Sequence, residues 1–280
     1  MKKYDKVGRR KQRLTISLPS ELLGAIDQAI DGKEIRNRSH AIEHFLRQSL
    51  KPSISKVVIL AGLKKRLKSH PALTKVDGRI LLDISLEHLA KAGLKDVYML
   101  AGSSSKELRK AVGGRNYGMR MHWLDEAKPM GTGGALSLLK GLIKEQFLVF
   151  HGDILTNIPI QPFIDFHTHE GALVTMAVKP RQSEPNYGQV TLEGNKIREF
   201  SEHEKGKGIS IVNTGVYLMR PEIFSYLGEQ KPFRIESEMF PRLAKMNELS
   251  AFFFQGMWFD ISRQKNLKDI ITRYQKERSV

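Results

Sequence analysis

The chain has 280 residues with a formal net charge of +16, 40% hydrophobic side chains and no cysteine. Disulfides and thiolate metal centres are therefore excluded, and no stretch approaches the roughly 18 apolar residues that a membrane helix needs. The basic N-terminus is followed by no apolar run, so it does not read as a signal peptide, and a cytoplasmic protein without membrane contact is expected.

The charge is uneven. Residues 1–51 hold 12 Lys and Arg against six Asp and Glu, so +6 of the +16 falls in under a fifth of the length. A basic concentration of this kind is the electrostatic footprint of a nucleic-acid partner. Within it Arg13-Leu14-Thr15-Ile16-Ser17-Leu18 alternates, which on a strand puts Leu14, Ile16 and Leu18 on one side and Arg13, Thr15 and Ser17 on the other. Ser20 is placed to cap a helix carrying Leu22, Leu23, Ile26 and Ile30, and Ser39 to cap a second carrying Ile42, Phe45, Leu46 and Leu50. About fifty residues bury too little surface to fold alone. A second copy is expected to cover the apolar sides, the two strands pairing as an antiparallel ribbon. The plainer alternative is a dimerisation ribbon whose polar face meets only water.

Lys51-Pro52-Ser53-Ile54-Ser55-Lys56 breaks the helical period and separates a domain over 1–51 from one over 52–280. Val57–Ala61 reads as a buried strand. A helix over Leu81–Ala92, a strand over Val97–Ala101, a helix near Ser105–Val112, a strand over Met119–Leu124, a helix over Gly133–Leu142 and a strand over Phe147–Phe150 are predicted next. This alternation predicts an α/β fold, a doubly wound, mostly parallel, Rossmann-like sheet with ligands at the carboxyl ends of the strands. Beyond residue 165 strands predominate, at Ala172–Val178, Gly188–Leu192, Lys196–Phe200 and Asn213–Met219, before a final helix near Gln264–Gln275.

Asp153 follows a buried strand and Asp260 ends Gly256-Met257-Trp258-Phe259-Asp260. Together they could share Mg2+, which favours carboxylates combined with phosphate oxygens. A carboxylate after a strand is more often a turn or cap residue. Met130-Gly131-Thr132-Gly133-Gly134 offers glycines that admit a flat ligand and a helix N-terminus with exposed N–H groups; the plainer reading is a tight turn into a helix.

RLTISLPSELL followed by NRSHAIEHFL resembles the ribbon-helix-helix family of DNA-binding regulators over residues 11–51. The resemblance implies that Arg13, Thr15 and Ser17 enter the major groove of double-stranded DNA and that backbone N–H groups near Arg38, Ser39 and His40 clamp a phosphate. ILAG, KPMGTGGAL, FLVFHGDILT, NYGQV, IREFSEHEK, VNTGVYLMRPEIF and GMWFDI, in that order, resemble the nucleotidyltransferases that join a sugar 1-phosphate to a nucleoside triphosphate. GTGGAL is most similar to the branch handling hexose or heptose 1-phosphates with guanosine or deoxythymidine triphosphate. This second resemblance spans residues 56–270. It implies that Asp153 and Asp260 hold magnesium, that Gly62, Gly131, Thr132 and Gly133 line the nucleotide site, and that Tyr187, Gly188, Glu202, Asn213 and Thr214 contact the sugar.

The first loop departs from that pattern. The family's G-x-G-T-R-L turn, with a lysine in a P-K-P segment after it, is here Gly62-Leu63-Lys64-Lys65-Arg66-Leu67-Lys68-Ser69-His70-Pro71. Only Gly62 and Arg66 are retained, Arg66 being the catalytic candidate if the domain is active, and the lysine position falls on Pro71 or is deleted. His203 stands where the family has a lysine gripping the sugar phosphate. A side chain at Lys64 obstructs the wrap of backbone amides around a triphosphate, and the lost lysine removes charge stabilisation from the transferring group. The expected function is therefore a ligand-controlled transcriptional regulator, dimeric or of higher even order, sensing a nucleotide sugar or sugar 1-phosphate. The alternative is an active nucleotidyltransferase in which Lys64, Lys65, Lys68 or Lys75 replaces the lost contacts; a structural dimer without a ligand is the third reading.

Overall fold

Pro19, with φ fixed at −56°, opens helix α1 (Ser20–Gln28), a position that suits a residue lacking an N–H. The computed structural model describes residues 15–33, 35–49, 54–62, 69–126, 128–182, 187–202, 208–227, 232–263 and 267–278, in two units, Met1–Ser53 and Ile54–Val280. Helix α2 (Arg38–Ser49) is opened by Asn37, whose Oδ1 accepts the His40 N–H at 2.9 Å. The expected caps are thus corrected: Ser20 and Ser39 are the first and second residues of their helices, because Pro19 and Asn37 already supply the turn. Between the helices, Asp31 Oδ1 accepts from Lys33 and Ile35 N–H at 2.8 and 2.9 Å. Ile26 and Ala41 are buried, and Asp27 and Arg38 form a two-pronged pair at 2.6 and 2.7 Å. Thr15–Pro19 forms no strand in the single chain. Ile16, Leu22, Phe45 and Leu46 are 39–54% exposed.

In the larger unit β1 (Lys56–Leu60) buries Val57, Val58 and Ile59 completely, the unbroken apolar run of a strand covered on both faces. A small hairpin, β2 (Lys75–Val76) and β3 (Arg79–Ile80), leads into α3 (Leu81–Lys91). Then come β4 (Asp96–Leu100), α4 (Ser105–Val112), β5 (Arg120–Leu124), α5 (Gly131–Ser137) and β6 (Phe147–His151). The second half holds β7 (Ile154–Thr156), α6 (Ile160–Glu170), β8 (Val174–Gln182), β9 (Gln189–Glu193), β10 (Lys196–Ser201), β11 (Ile209–Met219), α7 (Phe240–Lys245), β12 (Leu249–Phe253), β13 (Trp258–Asp260) and α8 (Leu267–Arg278).

Nine strands form one sheet in the order β5-β4-β1-β6-β11-β8-β12-β10-β9. The expectation of a mostly parallel sheet is corrected. β5, β4, β1 and β6 are mutually parallel, but β11 runs antiparallel to both β6 and β8, and β10 to both β12 and β9. For β9 and β10 the cause is connection length: the turn at Gly194-Asn195 joins them, and so short a link permits only antiparallel neighbours. Alternation along the strands then feeds two cores, Val57, Ile59, Val97 and Phe150 on one face and Val58, Leu100, Phe147 and Val149 on the other. No helix among the described residues is long and apolar enough to cross a membrane.

Two irregular features set up the carboxyl edge. The β11–β8 register shifts between Asn213 and Tyr217, around Gly215 at φ +78°, a conformation that L side chains rarely adopt. β13 pairs antiparallel with β7, Asp260 opposite Ile154, outside the main sheet.

Candidate active site

A cavity of about 430 Å³ opens at the carboxyl ends of β1 and β6. Its lining includes Gly62, Gly131, Thr132, Asp153, Tyr187, Gly188, Glu202, Asn213, Thr214 and Asp260, so ten of the residues singled out from sequence converge on it. Arg66 and His203, like Arg13, lie outside the described residues.

The two acids are neighbours through the β7–β13 ribbon. Ile261 N–H donates to the Asp153 carbonyl at 2.8 Å, one residue beyond Asp260. The Asp260 carboxylate accepts from Ser262 Oγ at 2.6 Å and pairs with Arg263 Nε at 3.0 Å. No cluster of three or more His, Asp or Glu that could cage a metal occurs among the described residues. One carboxylate in the turn before β7 and one at the end of β13 nevertheless fit magnesium, which keeps waters and takes substrate phosphates as its remaining ligands.

The β11 bulge turns the next group inward. Asn213 Oδ1 accepts the Gly215 N–H at 2.9 Å, and its Nδ2 donates to the Tyr217 hydroxyl at 2.8 Å. Thr214 Oγ1 donates to the Ala177 carbonyl at 2.7 Å, while the Thr214 carbonyl accepts Trp258 Nε1–H at 2.8 Å. The Gly188 carbonyl accepts the Asn213 N–H at 2.8 Å. Tyr187 is buried with its ring against Trp258 and under the Arg263 guanidinium, 4.7 Å away. These contacts hold a wall of amide, hydroxyl and aromatic groups suited to a polyhydroxylated ligand.

The glycine turn behaves otherwise than the sequence suggests. The Phe233 carbonyl accepts the N–H groups of Gly133 and Gly134 at 2.8 and 3.2 Å, and Phe233 N–H donates to the Met130 carbonyl at 2.8 Å. A Cβ on Gly133 would lie 2.0 Å from Phe233 Cδ1. Gly133 is absent from the described cavity lining: its bareness admits the Phe233 ring, and the N–H groups of Gly133 and Gly134 are already occupied. Gly131, at φ +74°, and Thr132 do line the cavity, but Thr132 is part of the same clasp. Its hydroxyl donates to Glu236 Oε2 at 2.6 Å and accepts the Ile235 N–H at 3.1 Å.

Several lining residues carry no signal that a sequence reading isolates. Glu236 is buried, with His151 Nε2 at 3.7 Å and Arg234 Nε at 3.9 Å; Arg234 also donates to Glu202 Oε1 at 3.0 Å. His70 accepts the Ala72 N–H on Nδ1 at 3.1 Å, so Nε2 carries the proton and donates to the Ala61 carbonyl at 2.8 Å. That clip fixes Pro71 in the cavity wall. Burial raises the Glu126 carboxyl above its ordinary range, against the Met130 N–H bonded to it. Burial first, then Glu236, holds the Tyr217 phenol far above its usual value. In the smaller unit, the His40 N–H expected to clamp a phosphate is taken by Asn37, and the Arg38 side chain by Asp27.

The sequence model of the Nucleotidyl transferase family matches residues 60–277. The chain belongs to this family. The mannose-1-phosphate guanylyltransferase catalytic subunit beta of Drosophila melanogaster is 28% identical over 221 residues, 75% of this chain and 60% of that protein. The Xenopus tropicalis protein of the same name is 30% identical over 188 residues, 65% of this chain and 52% of that protein. The chain thus spans between about half and three-fifths of the length of these relatives. Among solved structures, HddC from Yersinia pseudotuberculosis superposes with a TM-score of 0.69 at 21% identity, over 80% of this chain and 100% of HddC. A putative glucose-1-phosphate thymidylyltransferase from Bacillus anthracis gives 0.69 at 22%, over 78% of this chain and 94% of that one. At these identities the likeness establishes a shared mixed α/β nucleotidyltransferase fold.

Proposed function

We propose that the larger unit, residues 54–280, binds a nucleoside triphosphate and a sugar 1-phosphate in the cavity and joins them into a nucleoside-diphosphate sugar. The observation that carries the reading is the convergence of Asp153 and Asp260 with the Tyr187–Gly188 and Asn213–Thr214 walls on one cavity. The relatives, named as mannose-1-phosphate guanylyltransferases, and HddC seen with GMP-PN support a guanine nucleotide and mannose 1-phosphate as first substrates to try. They support transfer better than the sensing role read from the altered loop alone.

In this reading a sugar-phosphate oxygen attacks the α-phosphorus; the new P–O bond forms as the α–β bond breaks, and pyrophosphate leaves. Asp153 and Asp260 would hold magnesium, which neutralises charge on the phosphates. Tyr187, Glu202 and Asn213 orient the sugar, while Gly131 gives the base a backbone edge. His70 anchors the end of the first strand at Ala61, keeping the two substrates in reach.

A second reading is favoured by one observation: Pro71, without charge, lines the cavity where the resemblance puts the lysine. The cavity would then bind without turnover and report to the N-terminal unit over 1–51, a ribbon-helix-helix dimer on double-stranded DNA. The uncovered Ile16, Leu22, Phe45 and Leu46 support a second copy, and the cationic arm supports DNA. Pyrophosphate release from GTP and deoxythymidine triphosphate across a panel of sugar 1-phosphates decides between them. Magnesium-dependent turnover lost in Asp153→Ala establishes transfer; ligand binding without release establishes the sensor.

A further inference from the structure

We propose that Arg263 holds the phosphate of the sugar 1-phosphate, supplying the charge that the resemblance assigns to a lysine at position 203, where the chain has a histidine. The inference rests on the nucleotidyltransferase reading above. The described lining of the cavity carries five carboxylates, Glu126, Asp153, Glu202, Glu236 and Asp260, against two guanidinium groups, Arg234 and Arg263. A phosphate dianion entering so acidic a space must be met by cations fixed there.

Arg234 is committed elsewhere. It bonds Glu202 at 3.0 Å and lies 3.9 Å from Glu236, next to the Phe233 clasp on the glycine turn. Arg263 is held differently. It reaches Asp260 through Nε at 3.0 Å and lies over the Tyr187 ring at 4.7 Å. The closest approach to Asp260 is through Nε, and a guanidinium has five donors in a planar fork, enough to grip a phosphate by two bonds beside an acid it already pairs with. The ring fixes the plane of the group, and Asp260 sets it beside one of the two acids that fit magnesium. A phosphate bound beside Asp260 would have the guanidinium within one side chain's reach.

A side-chain cation at this point also compensates for the histidine at position 203. Position along the chain matters less than where the charged head arrives, and Arg263 arrives in the same cavity from the turn after β13. No lysine is needed at position 203 for the sugar phosphate to find a positive partner.

Isothermal titration of the full chain with mannose 1-phosphate and glucose 1-phosphate, with magnesium present, tests this in wild type, Arg263→Met and Arg263→Lys. GTP binding in the same samples reports whether the cavity is intact. Arg263→Met should weaken the sugar phosphate about 10- to 100-fold and flatten the salt dependence of binding. Arg263→Lys should recover part of the loss as a point charge. Equal affinity in wild type and Arg263→Met overturns the assignment and leaves the nucleotidyltransferase reading standing. Equal losses in the Met and Lys variants, accompanied by a lower Tm, mark a structural role and overturn it too. A wild-type chain that binds neither sugar phosphate nor GTP overturns both the assignment and the reading beneath it.

Discussion

Gly133→Ala separates the two roles that its motif allows. If the glycine faced a nucleotide, the added methyl would reduce binding and leave stability alone. In the structure it would stand 2.0 Å from Phe233 Cδ1 and 2.7 Å from Cε1, with no void to receive it. Overpacking of a core costs about 1–3 kcal/mol, and displacing Phe233 also strains the bonds from Gly133 and Gly134 N–H to its carbonyl, each worth about 1 kcal/mol. A loss of about 3 kcal/mol is expected, which in a domain of this size lowers Tm by on the order of 6–12 °C. Urea unfolding of Gly133→Ala, Phe233→Leu and the double variant measures it. The double variant should be more stable than the sum of the single losses by at least about 1 kcal/mol, because the two changes share one contact. Wild-type stability in Gly133→Ala together with lost nucleotide binding would refute the packing role and return the glycine to the ligand.

Other outcomes follow from particular side chains. His167 is fully buried, its Nδ1 2.6 Å from Thr175 Oγ1, and burial followed by the Arg220 charge lowers its pKa to about 4. The unfolded chain therefore takes the proton first: the stability is complete above the ordinary value near 6.5, declines as pH falls and is spent near 4. The full loss is about 3 kcal/mol, and urea midpoints between pH 7.5 and 4.5 should fall less steeply in His167→Gln; parallel curves would exclude this residue as the source. Asp153→Asn and Asp260→Asn should each abolish any magnesium-dependent rise in Tm with GTP, read by thermal shift. On the second reading, deleting residues 1–51 should leave a folded unit that does not shift duplex DNA at low salt where the full chain does, and Arg13→Ala should relax site preference by about 1–3 kcal/mol; unchanged DNA affinity in the truncation would remove the ribbon from that role.

What could be read from the chain alone follows the range of the forces involved. β1, β4 and β6 are legible because a strand buried on both faces must be apolar throughout, as Val57-Val58-Ile59 is. α6 is not: Ile160–Glu170 contains Pro162, Thr168 and two histidines, and Pro159 replaces a polar cap, so it is held by burial of Phe163, Ile164 and His167 more than by propensity. β7 has three residues and finds its partner a hundred positions later; nothing local announces it. The glycine turn was legible as a turn into a helix but not as the seat of Phe233, since a close approach leaves no mark in the residue approached. Arg263 had a local clue, a cation three residues after an acid. Its meaning depends on Tyr187, far away in sequence.

Tyr217 lies close enough to the cavity's carboxylates for them to act on its phenol. After burial, the groups that push its phenol upward are Glu236, Glu202 and Asp153, three of the carboxylates whose repulsion an incoming phosphate must also overcome. Arg234 and Arg263 offset part of it, and each is already engaged by an acid. A phosphate ligand arriving without a divalent cation would therefore add charge of the wrong sign beside Asp153 and Asp260. A metal arriving without phosphate would find two carboxylates and no cage. Each supplies what the other lacks, so on the proposed reading magnesium and phosphate are expected to bind cooperatively, which titration of each in the presence and absence of the other would test.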